Sequence, residues 1–284
     1  MKIKISADST CDLPSSLVER HNIGIVPLAI VRDGKPYRDG IEITPEDLFE
    51  YVESGKGSCH TTAVNTGEYL GIFSAYLKSY DAVIHINISS QMSSCNQNAV
   101  IAAAELDNVY VIDSKNLSTG MGNIVLDAAE LAAQGLEPTA IVAELEARVS
   151  RVQASFVIDT LKYLHKGGRC SAVAMLGANL LKLKPCIEVI DGKMDVGKKY
   201  RGSIDKMIPQ YAVEKFEEGD IDPRRLFITY TRGVPQETID EVIASAQRIV
   251  GFDEVFTSVA GCAISNHCGP GTLGVLYYKK ELTT

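Results

Sequence analysis

The chain has 284 residues, of which 45% are hydrophobic and 23% are charged, a balance typical of globular proteins that excludes an intrinsically disordered chain. Its length is sufficient for one large domain or for two domains of ordinary size. With 28 Lys and Arg against 36 Asp and Glu, the formal charge is −8, which argues against a dedicated nucleic-acid binder and against docking on an anionic membrane by charge.

Strand-like and helix-like segments alternate through the first half of the chain. Apolar runs predict strands, and amphipathic or alanine-rich runs predict helices. The predicted strands cover residues 3–6, 25–31, 82–88 and 109–112. The predicted helices cover residues 14–21 and 45–53, a segment that follows the polar loop 54–62 and ends near residue 80, and residues 93–106, 117–134 and 139–150. This alternation predicts a doubly wound, mostly parallel sheet.

The second half has more strands and fewer parallel crossovers. The predicted strands cover residues 156–158, 187–190, 194–196, 226–230, 254–258 and 271–277, with helices at 203–217 and 235–250 and a turn at 166–169. This pattern predicts an α+β domain. We therefore expect two domains, at residues 1–153 and 154–284, in an α/β protein.

Several classes of protein are disfavoured by what the chain lacks. No apolar run approaches the roughly 18 residues of a membrane span, and the N-terminus is too short and too alternating for a signal peptide. The seven cysteines include no CxxC pair, and the five histidines have no metal-binding spacing. We expect a cytoplasmic protein with reduced thiols, no metal and no stable membrane insertion.

Two nucleotide-binding motifs are incomplete. Residues 269–274 match GxGxxG, but a strand-like segment follows where a dinucleotide-binding fold has a helix. Residues 192–198 nearly match the P-loop, but Lys199 replaces the Ser or Thr that binds magnesium, and the surrounding pattern is a hairpin. We expect no nucleotide cofactor.

Two hydroxyl-rich segments are candidates for binding an anion. The first, Ile88 to Ser94, joins a buried strand to a helix, where free backbone N–H groups favour negative charge. Its serines are equally well explained as helix caps. The second is Thr61-Thr62, whose hydroxyls either donate to the same anion or cap the helix beyond Asn65.

Two further segments carry candidate polar groups. In Gly167-Gly168-Arg169, paired glycines allow a close backbone approach, and the arginine either binds a carboxylate or phosphate or is simply solvated. His267 lies in a predicted loop of small residues, and such a histidine is more often structural than functional. Cys268 beside it suggests a Cys–His nucleophile, but adjacent side chains usually point apart.

Taken together, these segments resemble the DegV family, in the same order along nearly the whole chain. The matching segments are Ile5-Ser6-Ala7-Asp8-Ser9-Thr10-Cys11-Asp12-Leu13, Thr61-Thr62, Ile88-Ser89-Ser90 with Ser93, Val111-Ile112-Asp113-Ser114, Leu161-x-x-Leu164-x-x-Gly167-Gly168-Arg169, Lys184-Pro185 and His267-x-Gly269-Pro270-Gly271.

The resemblance implies two α/β domains with a long-chain fatty acid buried between them. It also implies, for the bacterial FakB-type members, a separate fatty acid kinase that converts the bound acid to an acyl phosphate. The fatty acid carboxylate is then expected at Thr61 and Ser93, with the neighbouring hydroxyls of Thr62 and Ser94. Arg169 and His267 are expected in the surrounding polar network, and Arg201 is expected near the kinase.

The resemblance also has departures and leaves one alternative open. Ala63-Val64 and Ser94-Cys95 differ from the family pattern, so chain-length preference is not carried over. The apolar residues 172–178 are either the wall of a lipid tunnel or ordinary core. The expected role is that of a lipid carrier with no catalytic residues, and the alternative is an acyl hydrolase or transferase with Ser93 as nucleophile and His267 as base.

Overall fold

The computed structural model describes residues 1–174 and 184–281 of the chain. Within them the strands are β1 (Ile3–Asp8), β2 (Gly24–Val26), β3 (Ala29–Arg32), β4 (Lys35–Arg38), β5 (His60–Thr62), β6 (Ala82–Asn87), β7 (Val109–Asp113), β8 (Val152–Val157), β9 (Lys184–Ile190), β10 (Lys193–Tyr200), β11 (Ile221–Tyr230), β12 (Glu254–Val259) and β13 (Leu273–Lys279). The helices are α1 (Ser15–Arg20), α2 (Pro45–Glu53), α3 (Thr66–Leu77), α4 (Cys95–Ala103), α5 (Ser118–Ala133), α6 (Pro138–Val149), α7 (Lys162–Gly167), α8 (Ser171–Ala174), α9 (Ile204–Glu217), α10 (Gln236–Ile249) and α11 (Cys262–Cys268).

The first sheet is parallel, in the order β2-β1-β6-β7. Every residue of β6 is buried, as expected of a central strand that is covered on both faces. Helices α3 and α4 pack together on the sheet, and α5 and α6 form a second layer against it. The predicted doubly wound sheet is therefore confirmed.

The second sheet has six strands in the order β10-β9-β8-β13-β11-β12 and mixes parallel and antiparallel pairs. Helices α9 and α10 pack against each other and form a separate apolar core with this sheet. The change from the first sheet to the second falls between the end of α6 at Val149 and the start of β8 at Val152. The predicted mixed architecture of the second half is confirmed.

Helix α5 is the layer between the two sheets. It contacts β1 and β6 on the first sheet and β8, β11 and β13 on the second, and thirteen of its sixteen residues are buried. Its Asp127 carboxylate, 0% exposed, accepts hydrogen bonds from Arg148 (2.8 Å), Arg224 (3.0 Å) and Arg225 (3.1 Å). Because the last two arginines belong to β11, this ion-pair cluster joins the two sheets.

The single strand predicted at residues 25–31 is wrong. The structure divides it at Pro27-Leu28 into β2 of the parallel sheet and β3 of a separate antiparallel sheet, ordered β4-β3-β5. Proline has no N–H to donate to a ladder, so Pro27 ends the first strand. Asp33-Gly34 forms the turn between β3 and β4, with both residues at positive φ (53° and 74°), as a tight hairpin requires.

Three local predictions near the candidate residues also change. The predicted loop 54–62 contains a strand, β5, which pairs with β3. Residues 166 and 167, predicted as part of a turn, are the last residues of helix α7. His267, predicted in a loop, lies in the last turn of α11. These elements are short, and tertiary partners rather than local periodicity stabilise them.

The two incomplete nucleotide motifs lie in the predicted settings. Residues 192–198 run from the β9–β10 turn into β10, and residues 269–274 lead into β13. Neither segment begins a helix of the kind that a phosphate-binding loop requires. None of the helices in the described ranges has the length and apolar character that crossing a bilayer requires.

Candidate functional site

A cavity opens where the order of the parallel strands reverses, between β1 and β6. In doubly wound folds the carboxyl ends of the strands form a crevice at this point. The polar and the apolar residues that line it come from both halves of the chain: Thr10, Leu28, Thr61, Thr62, Ala63, Ile88, Met92, Ser93, Ser94, Leu117, Arg169, Met194, Ala263, Ile264, His267 and Cys268.

Six of the seven predicted site residues line this one cavity. Strand β5 carries the two threonines, the loop before α4 carries the two serines, Arg169 follows α7, and His267 lies in the last turn of α11. Arg201 is exposed just beyond β10 and does not line the cavity. Its predicted role toward a kinase stays a prediction.

Thr61 and His267 form a hydrogen-bonded pair across the cavity wall. Nε2 of His267 lies 3.0 Å from Oγ1 of Thr61, although the two residues are 206 positions apart. Burial, and then the charge of Arg169, lower the pKa of His267 from 6.5 to about 4. The imidazole is therefore neutral at pH 7, and with its proton on Nε2 it donates to Thr61 and leaves the threonine hydroxyl free to donate to a ligand.

The residues Gly167-Gly168-Arg169 have three separate roles. A Cβ on Gly167 would lie 2.1 Å from Nδ1 of His267, so only glycine allows this histidine ring its position. Gly168 ends α7 in the left-handed conformation with φ 68°. The guanidinium of Arg169 donates to the Gly167 carbonyl at 2.7 Å and remains exposed at the cavity.

We expect Gly167→Ala to destabilise the protein and to weaken ligand binding. The new methyl group has to displace the ring of His267, which breaks the bond to Thr61; overpacking of this kind costs about 1–3 kcal/mol. Urea unfolding and ligand titration measure the two effects. The control is Gly71→Ala, because a Cβ there meets nothing within 4 Å and the position is helical, so we expect it to be neutral or stabilising. Equal stability and equal ligand affinity of the two variants would contradict the close contact between residue 167 and the ring of His267.

Ser93 lines the cavity and lies just before α4, so its hydroxyl group is placed both for binding an anion and for hydrogen bonding at the helix start. Its Oγ accepts the N–H of Cys95 at 3.2 Å, which helps to begin α4, and lies 3.2 Å from the Cys95 Sγ. Because a thiol is a weak acceptor, the serine hydroxyl hydrogen can turn to a stronger acceptor in the cavity. Thr61 and Thr62, by contrast, do not cap the next helix, since Asn65 and Glu68 form that capping box.

Two buried carboxyl groups hold the start of helix α11, and no local sequence signal marks them. Asp39 accepts the N–H of Cys262 at 2.9 Å and of Ala263 at 3.2 Å, and Asp12 accepts the N–H of Gly261 at 2.9 Å. They compensate the unpaired N–H groups at the helix start. The helix that carries His267 is thereby fixed to the first half of the chain.

Below the cavity lies a second polar network that has the order of a catalytic triad. Ser6 Oγ is 2.9 Å from His85 Nδ1, and His85 Nε2 is 3.3 Å from Asp8 Oδ1. All three side chains are 0% exposed, so no substrate reaches them. The Asp8 carboxylate also accepts the Tyr69 hydroxyl at 2.6 Å and the Ile88 N–H at 3.1 Å. This network fixes the start of the serine-rich loop.

A second, largely apolar cavity adjoins the first. It shares Leu117, Ile264 and Cys268 with the first cavity and is also lined by Phe156 and Leu276 of the six-stranded sheet. The hydroxyl-lined site therefore has an apolar cavity beside it. Of the predicted tunnel wall, Val173 is buried, whereas residues 175–178 lie outside the described ranges.

The thiol chemistry considered from the sequence has no support in this site. Cys268 is buried, and burial raises the pKa of its thiol to about 12, which keeps it protonated at neutral pH. Across the described part of the chain, no three His, Cys, Asp or Glu side chains are grouped so that they could hold a metal ion.

The neutrality of His267 predicts a loss of stability in acid. Its pKa is about 4 in the folded protein and 6.5 in the reference state, so the unfolded chain binds more protons between these values. Stability therefore falls as the pH drops from 6.5 toward 4, by about 2 kcal/mol at pH 5. Urea unfolding at pH 7 and pH 5 measures this difference, and His267→Gln, which cannot titrate, should lack that part of it. An identical pH dependence of the unfolding free energy in the unchanged protein and in His267→Gln would contradict the lowered pKa of His267.

Comparisons with known proteins give a consistent result. The family model described as "Uncharacterised protein, DegV family" matches residues 2–280. A DegV domain-containing protein of Caldanaerobacter subterraneus is 33% identical over 281 residues, which cover 98% of this chain and 99% of that protein. The structure of a DegV family protein from Thermus thermophilus, described as fatty acid binding, has a TM-score of 0.89 at 30% identity and covers 98% of this chain and 100% of its own. A stearic acid-binding protein from Eubacterium ventriosum has a TM-score of 0.86 at 26% identity, with 98% of each chain covered.

Proposed function

The chain belongs to the DegV family, and from this membership and the geometry of its cavity we propose that it binds one long-chain fatty acid. The carboxylate lies at the hydroxyl groups of Thr61 and Ser93, beside Thr62 and Ser94, with Arg169 and His267 in the surrounding polar network. The acyl chain runs inward past Leu117 and Ile264.

The observation that carries the proposal is that the two cavities adjoin and share Leu117, Ile264 and Cys268 in their walls. A site lined by hydroxyl groups next to a largely apolar cavity fits a ligand with one charged end and a long apolar tail. Burying about 15 methylene groups at about 0.8 kcal/mol each contributes on the order of 12 kcal/mol before ordering costs. The fatty acid named for the Thermus relative and the stearic acid named for the Eubacterium relative have this chemistry.

We further propose that the protein carries its ligand rather than transforming it alone. Ser93 hydrogen-bonds within its own loop, and Nε2 of His267 is taken by Thr61. Nδ1 of His267 is buried and has no hydrogen-bond partner among the described residues, so no carboxylate orients this histidine as in a hydrolase. The exposed Arg169 lies at the carboxylate end, where a separate fatty acid kinase would reach it.

Organic extraction of the purified protein tests the proposal. We expect mass spectrometry to find close to one long-chain fatty acid per chain, and the delipidated protein to regain thermal stability when palmitate or oleate is added. The protein alone should not hydrolyse acyl esters. A lipid-free extract together with no thermal shift would exclude fatty acid binding, and ester turnover that is lost in Ser93→Ala would favour the hydrolase.

A further inference from the structure

The carboxyl groups of Asp12 and Asp39 lie side by side in the interior. A Cβ atom on Gly261 would lie 3.1 Å from Oδ1 of Asp12 and 3.5 Å from Oδ1 of Asp39, so both groups face the same point of the backbone. The two residues are only 7% and 4% exposed. Their partners in the described part of the chain are backbone N–H and hydroxyl groups, and no basic side chain is among them. Two neighbouring buried carboxyl groups without a cation do not readily ionise together.

The hydrogen bonds indicate which of the two groups keeps its charge. Asp39 accepts three of them, from two N–H groups of α11 and from the hydroxyl group of Ser9 at 2.9 Å. Asp12 accepts one N–H, that of Gly261, and its other oxygen lies 2.6 Å from the hydroxyl oxygen of Ser118. A protonated carboxyl group can be the donor in that contact. Because hydrogen bonds to a carboxylate stabilise its charge, Asp39 is the charged member and Asp12 the protonated one.

The surrounding groups do not compete with Asp12 for a proton near neutral pH. Burial, and to a smaller extent the charge of Asp39, raise the pKa of Asp12 from 3.8 to about 8. The other titratable groups around the pair are the thiols of three buried cysteines and the carboxylate of α2, namely Cys11, Cys262, Cys268 and Asp47. Burial raises the pKa of all three thiols far above neutral, and the hydrogen bonds of its helix cap lower the pKa of the α2 carboxylate.

Helix α11 connects this pair to the candidate site. Four of its seven residues line the cavity, namely Ala263, Ile264, His267 and Cys268. Just beyond its last residue, the carbonyl group of Gly269 accepts the hydroxyl group of Thr231 from the second half of the chain. The start of α11 is therefore held by the first half and its end by the second, so a shift at its start moves the His267 ring relative to Thr61.

We propose that Asp12 and Asp39 carry one negative charge between them at neutral pH, with the proton on Asp12, and that they position His267 at the carboxylate end of the ligand through α11. Neither residue lines the cavity, so both are positioning residues. The inference rests on the proposed function in one respect, namely that the ligand is a fatty acid. Loss of the Asp12 proton places a second negative charge beside Asp39, and the repulsion displaces the start of α11. Affinity for a fatty acid should therefore fall as the pH rises above about 8.

The first experiment follows palmitate affinity and stability against pH. Between pH 7 and pH 9 the dissociation constant of palmitate for the delipidated protein should rise by up to about 10-fold, as Asp12 loses its proton. The unfolding equilibrium constant should rise by up to about 100-fold between pH 6 and pH 9, because the folded chain holds a proton that the unfolded chain has already lost. Asp12→Asn should lack both changes.

Asparagine at position 12 closely matches the protonated carboxyl group. Its amide oxygen can accept the N–H of Gly261, and its NH2 group can donate to Ser118. Residue 12 also has a left-handed backbone, with φ 48°, which asparagine tolerates well. We therefore expect Asp12→Asn to bind palmitate at pH 7 about as well as the unchanged protein does.

The second experiment replaces the charged member of the pair. At pH 7, Asp39→Asn should weaken palmitate binding by about 5- to 10-fold and shift the ring resonances of His267 in NMR spectra. Affinity for hexadecanol, which has the same tail and no carboxylate, should be nearly unchanged. The control is Asp47→Asn, which removes an exposed carboxylate from the start of α2, outside the cavity lining. It should lower stability but leave palmitate affinity and the His267 resonances unchanged.

The outcomes separate the two proposals. The shared charge is overturned if Asp12→Asn has the same pH dependence as the unchanged protein, or if it weakens palmitate binding at pH 7 as much as Asp39→Asn does. The positioning role is overturned if Asp39→Asn loses palmitate and hexadecanol affinity equally. If Asp39→Asn does not fold, the pH comparison with Asp12→Asn decides. If palmitate does not bind the unchanged protein, the fatty-acid proposal fails, while the unfolding measurements and the His267 resonances still decide the role of the pair.

Discussion

Replacing Ser93 by alanine should weaken binding of a long-chain fatty acid by about 10- to 150-fold. The variant removes a hydroxyl group that we expect to donate to the carboxylate, and hydrogen bonds to charged groups contribute about 1.5–3 kcal/mol. The measurement is the dissociation constant of palmitate for the delipidated protein, with hydrolysis of an acyl ester followed in parallel. A nucleophile, in contrast, predicts nearly unchanged affinity.

Two variants separate this effect from a general disturbance of the loop. Ser93 also accepts the N–H of Cys95, so alanine should cost about 1 kcal/mol of stability by loss of this local hydrogen bond. Ser93→Thr keeps the hydroxyl and should restore most of the affinity. Ser90→Ala, in the same loop but exposed and outside the cavity lining, should have little effect on affinity. If Ser90→Ala weakens binding as much as Ser93→Ala, the carboxylate contact is wrong.

Asp127→Asn should lower the free energy of unfolding by about 3–5 kcal/mol. The buried Asp127 carboxylate is the common acceptor for Arg148, Arg224 and Arg225. Without it the buried Arg225 keeps only the partly exposed Glu130 and the exposed Glu254 as partners. Urea unfolding measures the change. Since the cluster joins α5 to the six-stranded sheet, we expect fatty acid affinity to fall as well.

The matched control for Asp127 is Glu144→Gln. Glu144 also pairs with Arg148, at 3.2 Å, but its side chain is 54% exposed. Solvent screening reduces such a pair to less than about 1 kcal/mol. A loss of similar size in both variants would show that the cluster does not hold the two sheets together.

The sequence by itself determined the elements that have a strong local pattern. The helix predicted at residues 45–53 has the observed bounds of α2, because the capping hydroxyl of Thr44 and a proline at the first helical position act within a few residues. The alternation of strand-like and helix-like segments predicted the parallel sheet, and the mostly apolar run of β6 is typical of a central strand that is covered on both faces. The six predicted residues that line the cavity were named from the resemblance to the DegV family, which rests on the order of hydroxyl groups, glycines and an arginine along the chain.

Only the tertiary structure decided how these residues meet. Strand β5 and helix α11 are too short to have their own periodic signal, yet they place Thr61 and His267 within 3.0 Å across 206 residues. The need for glycine at position 167 arises from the His267 ring and not from the local turn. Local propensity acts over a few residues, whereas these contacts depend on how the two sheets pack around α5. No local pattern in a single sequence gives the distance between segments that lie so far apart along the chain.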